Sequence, residues 1–112
     1  FEQTNILMMR SAALKPTAIF GANNAITAGI LYALSLRGCK VPDDVSVVSY
    51  GDSSWCRFYP TPITSIAQPV EEMGEMAAKM LLDQICAHTA PKQVCLKSML
   101  MARASVATPS AR

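Results

Sequence analysis

Residues 40–68 read KVPDDVSVVSYGDSSWCRFYPTPITSIAQ, and this stretch decides the fold. Val45, Val47 and Val48 form a β-branched run bounded by polar turns, which is the pattern of a strand buried on both faces of a parallel sheet. A polar turn, residues 49–53, follows directly and therefore lies at the carboxyl end of that strand. In open α/β sheets small ligands bind at this end of the strands, so the turn is a candidate binding site.

Helical and strand signals alternate around this stretch. Apolar periodicity and capping residues predict three helices, over residues 4–14, 24–37 and 68–87. Short apolar runs predict four strands, over residues 17–20, 45–50, 63–67 and 94–104. This order predicts an α/β fold, a doubly wound and mainly parallel sheet with flanking helices.

The helices carry specific expectations about their ends and faces. Thr4 or Asn5 is the expected N-cap of the first helix, Asn23 or Asn24 caps the second, and Gly38 is the second helix's C′ residue. The last helix has an apolar stripe that we expect to be buried, formed by Val70, Met73, Ala77, Leu81 and Ile85.

Composition limits the class of protein. The chain has 112 residues, enough for one domain at most, and its 51% hydrophobic content predicts that it buries apolar surface against something else. Its net charge of +2 comes from scattered side chains without a basic stripe, so we expect no direct contact with nucleic acid. The longest apolar runs are too short to cross a membrane, and the N-terminus lacks the layout of a signal peptide.

The residues that could carry chemistry are few. Cys39, Cys56, Cys86 and Cys95 are too widely spaced for a CxxC motif, which favours reduced, structural thiols in the cytoplasm over the alternative of disulfides. His88 is the only histidine, so neither a metal cluster nor a Ser-His-Asp set is expected. We therefore predict no cofactor and no enzymatic activity, and the lack of a GxGxxG loop also argues against a dinucleotide-binding enzyme.

Several phrases of the sequence occur together in one known family. They are ANN at 22–24, RG at 37–38, VPDDVSVV at 41–48, YGD at 50–52, PTPITSIAQP at 60–69 and EMGEMAAKMLL at 72–82. With these phrases in order and without gaps, residues 16–85 resemble the C-terminal part of the effector-binding core of the lactose-repressor/galactose-repressor family of bacterial transcription regulators. The resemblance implies two lobes that hinge around a small ligand, as in periplasmic sugar-binding proteins, and an N-terminal headpiece that binds operator DNA.

The resemblance also implies a domain organisation. Residues 1–105 would be most of the C-terminal lobe, and residues 106–112 a disordered tail. The N-terminal lobe and the DNA-binding headpiece would be absent from this chain, so that residues upstream of Phe1 are expected. The implied function is the effector-sensing and dimerisation portion of a cytoplasmic regulator, a repressor that responds to a sugar or sugar acid. The alternative is the solute-binding protein of a sugar transporter, which shares the fold.

Four residues are candidate ligand contacts by this resemblance: Asn23, Gly51, Asp52 and Gln68. Asn23 and Gln68 correspond to cleft positions whose amides suit hydroxyl groups, with helix capping or solvent contact as the alternatives. Gly51 stands where sugar-binding members usually carry an acceptor aspartate. Its neutrality favours an anionic effector such as a sugar acid, unless Gly51 serves only to allow a positive φ. Asp52 matches an acidic position that more often braces the turn.

The second helix is apolar on two sides. One stripe consists of Ile26, Ile30, Ala33 and Leu34, and the other of Ala28, Leu31 and Tyr32. The second stripe, together with Phe58 and Tyr59, corresponds to the family's dimer surface and predicts a homodimer. The alternative is that both stripes are buried within one lobe.

Overall fold

The computed structural model describes residues 2–9, 15–88 and 90–109, except for the side chain of Asn5. In this part of the chain the helices are α1 (Glu2–Met8), α2 (Asn24–Leu36), α3 (Trp55–Phe58) and α4 (Val70–Ala87). The strands are β1 (Ala18–Gly21), β2 (Ser46–Tyr50), β3 (Thr64–Ala67) and β4 (Met99–Met101). The chain divides into two compact units: unit 1, Phe1–Ala67 with Leu100–Arg112, and unit 2, Gln68–Met99.

The strands form one four-stranded sheet in the order β1-β2-β3-β4. The β1 and β2 strands pair in parallel, with Gly21 opposite Ser49, and β2 pairs in parallel with β3, with Tyr50 opposite Ile66. The mainly parallel α/β fold predicted from the sequence is confirmed.

The core of unit 1 surrounds β2. Val45, Val47, Leu34, Cys56 and Ile63 are almost completely buried. The adjacent residues Ser46 and Val47 are both buried, and neighbouring residues of a strand point to opposite faces. The β2 strand is therefore covered on both faces, as its β-branched run predicts.

The α2 helix begins and ends as predicted. Asn23 is its N-cap, and Gly38 adopts a φ of 64° just after its C-cap, Arg37. The Gly38 N–H donates to the carbonyl of Ser35, and the Cys39 N–H donates to that of Leu34. These two bonds form the Schellman motif that satisfies the last carbonyls of a helix.

The first half of the chain departs from prediction in two places. The α1 helix already begins at Glu2, so Thr4 lies inside it, is buried, and cannot be its N-cap. Position 5 also lies inside the helix, so Asn5 is not its N-cap either. Residues 10–14 of the predicted helix lie outside the described residues. The short helix α3 was not predicted, because one turn of helix is too short to show apolar periodicity.

The expected buried stripe of α4 is wrong. No residue of this helix is buried, and every predicted stripe position is exposed. The partly covered positions are Met76, Met80 and Gln84, and the last two line a small hollow of unit 2 with Ala90 and Lys92. Apolar periodicity identifies a face that can be buried, but it does not supply the surface that buries it.

The C-terminal segment is also more specific than predicted. The strand expected over residues 94–104 is only three residues long, β4. The backbone of Ala107 exchanges two hydrogen bonds with the Ser46 hydroxyl, so the prediction of a disordered tail from residue 106 is wrong for this residue. Residues 110–112 lie outside the described residues.

Candidate ligand site

Three of the four predicted ligand contacts lie at the carboxyl ends of β1 and β2. Since Gly21 pairs with Ser49 in parallel, the turns that follow these residues lie on the same edge of the sheet. A Cβ placed on Gly51 would be 2.9 Å from the Nδ2 atom of Asn24, so the two turns are in contact. We use the name polar edge for the three predicted contacts Asn23, Gly51 and Asp52 together with Asn24.

Asn23 caps α2 through its side-chain oxygen and exposes its side-chain nitrogen. Its Oδ1 accepts a hydrogen bond from the Ile26 N–H at 2.8 Å, which is the capping alternative weighed for this residue. Its side-chain NH₂ group has no partner among the described residues, and the residue is exposed. Capping therefore uses the oxygen and leaves the nitrogen available for an incoming acceptor.

A buried hydroxyl pair fixes the start of α2 against β2. The Thr27 hydroxyl donates to the Asn23 carbonyl at 2.8 Å and lies 2.9 Å from the Ser49 hydroxyl. Thr27 lies so close to Gly21 that a Cβ at position 21 would collide with it. Sequence reasoning missed this pair, although two hydroxyl residues among apolar neighbours could have indicated it.

Gly51 adopts a φ of 99°, a left-handed conformation that side chains rarely adopt. Its N–H donates to the Ile66 carbonyl at 2.9 Å, which ties the turn to β3. Glycine therefore supplies a positive φ at this position. An aspartate at this position would be strained and would also press on Asn24.

Asp52 is held by a network within unit 1. Its Oδ1 and Oδ2 accept hydrogen bonds from Arg103 Nη1 and Nη2, at 2.7 and 2.9 Å, and Oδ1 accepts a third from the Ser65 hydroxyl at 2.7 Å. The Asp52 side chain is only 6% exposed. In this structure Asp52 braces the turn, the role that the resemblance gives more often to this position.

Besides its salt bridge with Asp52, Arg103 makes hydrogen bonds to β3 and to the residue before it. Nη1 also donates to the Ile63 carbonyl at 2.7 Å, and the Arg103 N–H donates to the Thr64 hydroxyl at 2.9 Å. Sequence reasoning missed this residue. The signal available was a single charge near the end of an apolar run, which requires a partner if it is buried.

The network changes two pKa values in opposite directions. The hydrogen bond from Arg103 is the largest cause that lowers the pKa of Asp52, which falls from 3.8 to about 2 although burial opposes the change. Burial raises the pKa of the neighbouring Cys56 thiol, and the Asp52 charge raises it further. At neutral pH this corner of unit 1 therefore holds a carboxylate and an unreactive thiol.

A second guanidinium approaches the same carboxylate from α3. Arg57 Nη2 lies 3.5 Å from Asp52 Oδ2, and the Arg57 side chain is 62% exposed. Asp52 carries one negative charge, and Arg57 and Arg103 carry one positive charge each, so the three side chains together have a net charge of +1. This corner of the polar edge is thus electropositive.

Gln68, the fourth predicted contact, belongs to unit 2. It follows β3 directly in the chain and is half-buried, where it lines an open hollow with Val70 and Glu72. Val70, expected to pack in a core, is exposed.

The five residues of the predicted dimer surface differ in exposure. Ala28, Tyr32 and Phe58 are exposed, with Phe58 83% exposed, while Tyr59 is half-buried against the core. Leu31 is only 3% exposed, so the expectation that it lacks cover is wrong: it points into the core together with Ile30 and Leu34. Conversely Ile26, expected in the core stripe, is half exposed.

The remaining chemical groups are separate from the polar edge. All four cysteines are free thiols, and the exposure of Cys86 and Cys95 contradicts a structural role in a core for these two. Among residues 2–9, 15–88 and 90–109 no three acidic, histidine or cysteine side chains form a cluster that could hold a metal ion. No helix in the same ranges is long and apolar enough to cross a membrane.

Comparisons with known proteins agree with this geometry. Residues 2–106 match the family model of the periplasmic binding protein-like domain. The ribose operon repressor of Escherichia coli is 36% identical over 96 residues, which cover 85% of this chain and 29% of the repressor. The transcriptional repressor PurR of Serratia proteamaculans is 37% identical over 94 residues, which cover 83% of this chain and 28% of that protein. The chain thus spans less than a third of the length of these relatives.

Solved structures show the same relationship. A LacI family regulator from Enterococcus faecium with bound ribose superposes with a TM-score of 0.83 at 29% identity, over 97% of this chain and 39% of that one. A LacI family regulator from Bifidobacterium animalis gives a TM-score of 0.83 at 31% identity, over 98% of this chain and 40% of that one. The chain therefore belongs to the periplasmic binding protein-like domain family and corresponds to the C-terminal part of the effector-binding core of LacI-family transcription regulators.

Proposed function

We propose that this chain is the effector-sensing and dimerisation portion of a bacterial transcription repressor that responds to a small sugar-like or sugar-acid metabolite. The observation that carries the proposal is the polar edge, where an exposed amide donor and a turn with a positive φ meet at the carboxyl ends of two parallel strands. Relatives named as repressors, and related regulators with a sugar bound, support it.

In this proposal the ligand lies between two lobes, of which the chain supplies one side. Binding would favour one angle between the lobes and thereby change how a headpiece, supplied by residues outside this chain, contacts operator DNA. Asn23 and Gln68 are the proposed contacts, each through its amide. Asp52 supports the turn through Arg103 and does not contact the ligand in this scheme.

The charge around the turn favours an anionic ligand. Position 51 carries no carboxylate, the Asp52 charge is matched by Arg103, and Arg57 adds an exposed positive charge. A free carboxylate ~4 Å from a ligand anion would cost about 4 kcal/mol at an effective dielectric of 20. We therefore include sugar acids with neutral sugars in the proposed ligand class.

The alternative is a solute-binding protein of a sugar transporter. The sequence of the complete gene decides between the two. A helix-turn-helix segment in it would support the repressor, whereas a signal peptide would support the transporter. The repressor names of the relatives support the first outcome.

We also propose that the chain self-associates through Ala28, Tyr32, Phe58 and Tyr59. These residues present exposed or half-exposed apolar surface on α2 and around α3. Leu31 and Tyr59 also line a hollow of about 470 Å³ beside this surface, large enough to receive a side chain from a second copy. The proposed contact is isologous, with the same patch on both copies.

Sedimentation velocity tests the interface with a matched pair of variants. Phe58→Asp introduces a charge into the proposed surface and should shift the chain toward monomer. Val106→Asp introduces the same charge at an exposed apolar residue outside α2 and α3 and should leave the dimer unchanged. If the chain is monomeric, or if both variants sediment as the parent does, the interface is wrong.

A further inference from the structure

Unit 1 is built from two separate pieces of the chain. The chain leaves unit 1 after Ala67 and returns to it at Leu100. We call residues 100–107 the return segment. The β3 strand ends at the first of these two crossings, β4 spans the second, and the two strands are neighbours in the sheet. Any change that passes along the backbone between the units must therefore use one of these two crossings.

The return segment bridges β2 and β3 at their amino ends. The two strands pair with each other from Val48 and Thr64 onward. At the preceding residue the Val47 N–H donates to the Ser105 carbonyl at 2.9 Å, and the Ser105 hydroxyl donates to the Val47 carbonyl at 2.6 Å. The same hydroxyl accepts from the Thr64 N–H at 2.8 Å, and Ser105 is completely buried. Ser105 thus joins the two strands just before their first shared pair.

The turn after β2 is bonded to both crossings. Asp52 accepts hydrogen bonds from the guanidinium of Arg103 in the return segment, at 2.7 and 2.9 Å, and from the Ser65 hydroxyl of β3 at 2.7 Å. The Gly51 N–H donates to the Ile66 carbonyl of β3 at 2.9 Å. A movement of this turn therefore disturbs hydrogen bonds at both crossings.

We propose that Arg103 is a positioning residue that couples the turn at residues 50–53 to the return segment, so that a change at the polar edge reaches the crossing between Met99 and Leu100. This inference rests on the proposed function, because it describes how occupancy of the polar edge would be transmitted. The coupling acts in both directions, since a turn that holds the return segment is also held by it.

Two properties of the Asp52–Arg103 contact suit it to this role. The planar guanidinium binds both carboxylate oxygens, which fixes the relative orientation of the two side chains as well as their distance. The side chains of Arg103 and Asp52 are only 12% and 6% exposed, so salt screens the pair weakly. Arg57 binds the same carboxylate from α3 through a longer and largely exposed contact, and it provides the matched control.

Hydrogen exchange, followed by nuclear magnetic resonance on the ¹⁵N-labelled 112-residue chain without ligand, tests the coupling. Gly51→Ala strains the turn, because position 51 has a φ of 99°. The readout is the Ala104 N–H of the return segment, which donates to the Pro62 carbonyl at 3.0 Å. The amide of Leu34 in the core reports global unfolding, and every rate is compared with it.

The proposal predicts an effect that depends on Arg103. Gly51→Ala should speed exchange at Ala104 by about fivefold or more relative to Leu34. In an Arg103→Met background the same substitution should change that rate by less than about twofold, whereas in an Arg57→Met background the full effect should remain. Equal effects in the two backgrounds, or no effect in the parent, would overturn the proposal.

The reverse direction gives a second test that does not depend on the stability of Gly51→Ala. Ser105→Ala removes the hydroxyl that joins Val47 to Thr64. Exchange of the Gly51 N–H should then become faster relative to Leu34 in the parent, and much less so in the Arg103→Met background. A Gly51 amide that responds equally in both backgrounds contradicts the proposal.

A ligand experiment separates this inference from the proposed function. With D-ribose and D-ribonate at millimolar concentration, the proposed function predicts that the signals of Asn23 and Gly51 shift with at least one probe. The coupling predicts that the same probe slows exchange at Ala104. If neither signal shifts, the proposed ligand site is refuted, and the ligand-free exchange rates still decide the coupling. If both signals shift while the rate at Ala104 stays constant, the coupling is wrong and the proposed function stands.

Discussion

Units 1 and 2 both contain helices with an apolar stripe, but only unit 1 buries apolar side chains. In unit 1 the apolar residues of α2 and β2 form a core in which Ala33 and Val47 are completely buried. In unit 2 the 18-residue helix α4 has no buried residue at all. The difference shows that periodicity predicts that an element forms, whereas burial depends on which other elements the chain contains.

The same difference separates the functional residues. The polar edge is assembled within unit 1, where the pairing of β1 with β2 and the Thr27–Ser49 contact fix both turns. Gln68 belongs to unit 2, in which none of the described residues is buried.

The largest expected effect is on the core itself. Ile63→Ala should lower the free energy of unfolding by about 3 to 4 kcal/mol, because Ile63 is completely buried beside Cys56 and Val47. The matched variant Ile85→Ala, at a position 61% exposed in α4, should change it by less than about 0.5 kcal/mol. Urea unfolding followed by circular dichroism and Trp55 fluorescence measures both. Equal losses would show that α4 is covered as well as the core.

The next effect concerns the network around Asp52. Arg103→Met should cost about 2 to 3 kcal/mol, because it leaves the buried carboxylate without its bidentate partner. Arg57→Met removes the exposed guanidinium at 3.5 Å from the same carboxylate and should cost less than about 0.5 kcal/mol. The same unfolding experiment compares them. A cost for Arg57→Met that matches that of Arg103→Met would contradict the assignment of Arg103 as the principal partner.

Acid should weaken unit 1 through Asp52. The folded-state pKa of about 2 lies below the ordinary value of 3.8, so this carboxylate stabilises the fold above about pH 4. That contribution, about 2 kcal/mol, is lost as the pH falls from about 4 toward 2. The difference in unfolding free energy between the parent and Asp52→Asn should therefore shrink over this range. A difference that is constant with pH would show that the Asp52 charge does not stabilise the fold.

The smallest effect separates the two roles of Asn23. Asn23→Ala removes the cap of α2 and should lower the free energy of unfolding by about 1 kcal/mol. Asn23→Ser keeps a capping oxygen and should lower it by only about 0.3 kcal/mol. Both variants remove the exposed NH₂ group. If the proposed ligand contact is real, both variants should weaken the binding of D-ribose or D-ribonate at the polar edge, measured by nuclear magnetic resonance on the ¹⁵N-labelled chain. A ligand response lost only in Asn23→Ala would assign the effect to the helix and not to the amide.

Much of unit 1 could be predicted from the sequence, because its signals are local. The β2 strand, the Asn23 cap and the Gly38 motif each depend on a few adjacent residues. The partnership of Asp52 with Arg103 could not be predicted, since the two residues are 51 positions apart and only the fold brings them together. The orientation of Leu31 was missed because α2 is apolar on two sides, so periodicity alone could not assign its buried face.

Three residues of the polar edge could be predicted from local sequence signals, and their contact with Asn24 could not. Asn23, Gly51 and Asp52 follow strands that the sequence identifies, so their common edge could be derived from parallel pairing. The contact between Asn24 and Gly51 depends instead on a backbone φ of 99° and on the exact height of α2 above the sheet. Neither quantity is encoded in a short sequence pattern.

Amide hydrogen exchange on the 112-residue chain tests the contrast between the units most directly. We expect slow exchange for the amides of Val47, Leu34 and other core positions of unit 1, and much faster exchange along α4, where no buried side chains protect the helix. Protection of α4 equal to that of β2 and α2 would contradict it, since it would mean that unit 2 is covered as completely as unit 1.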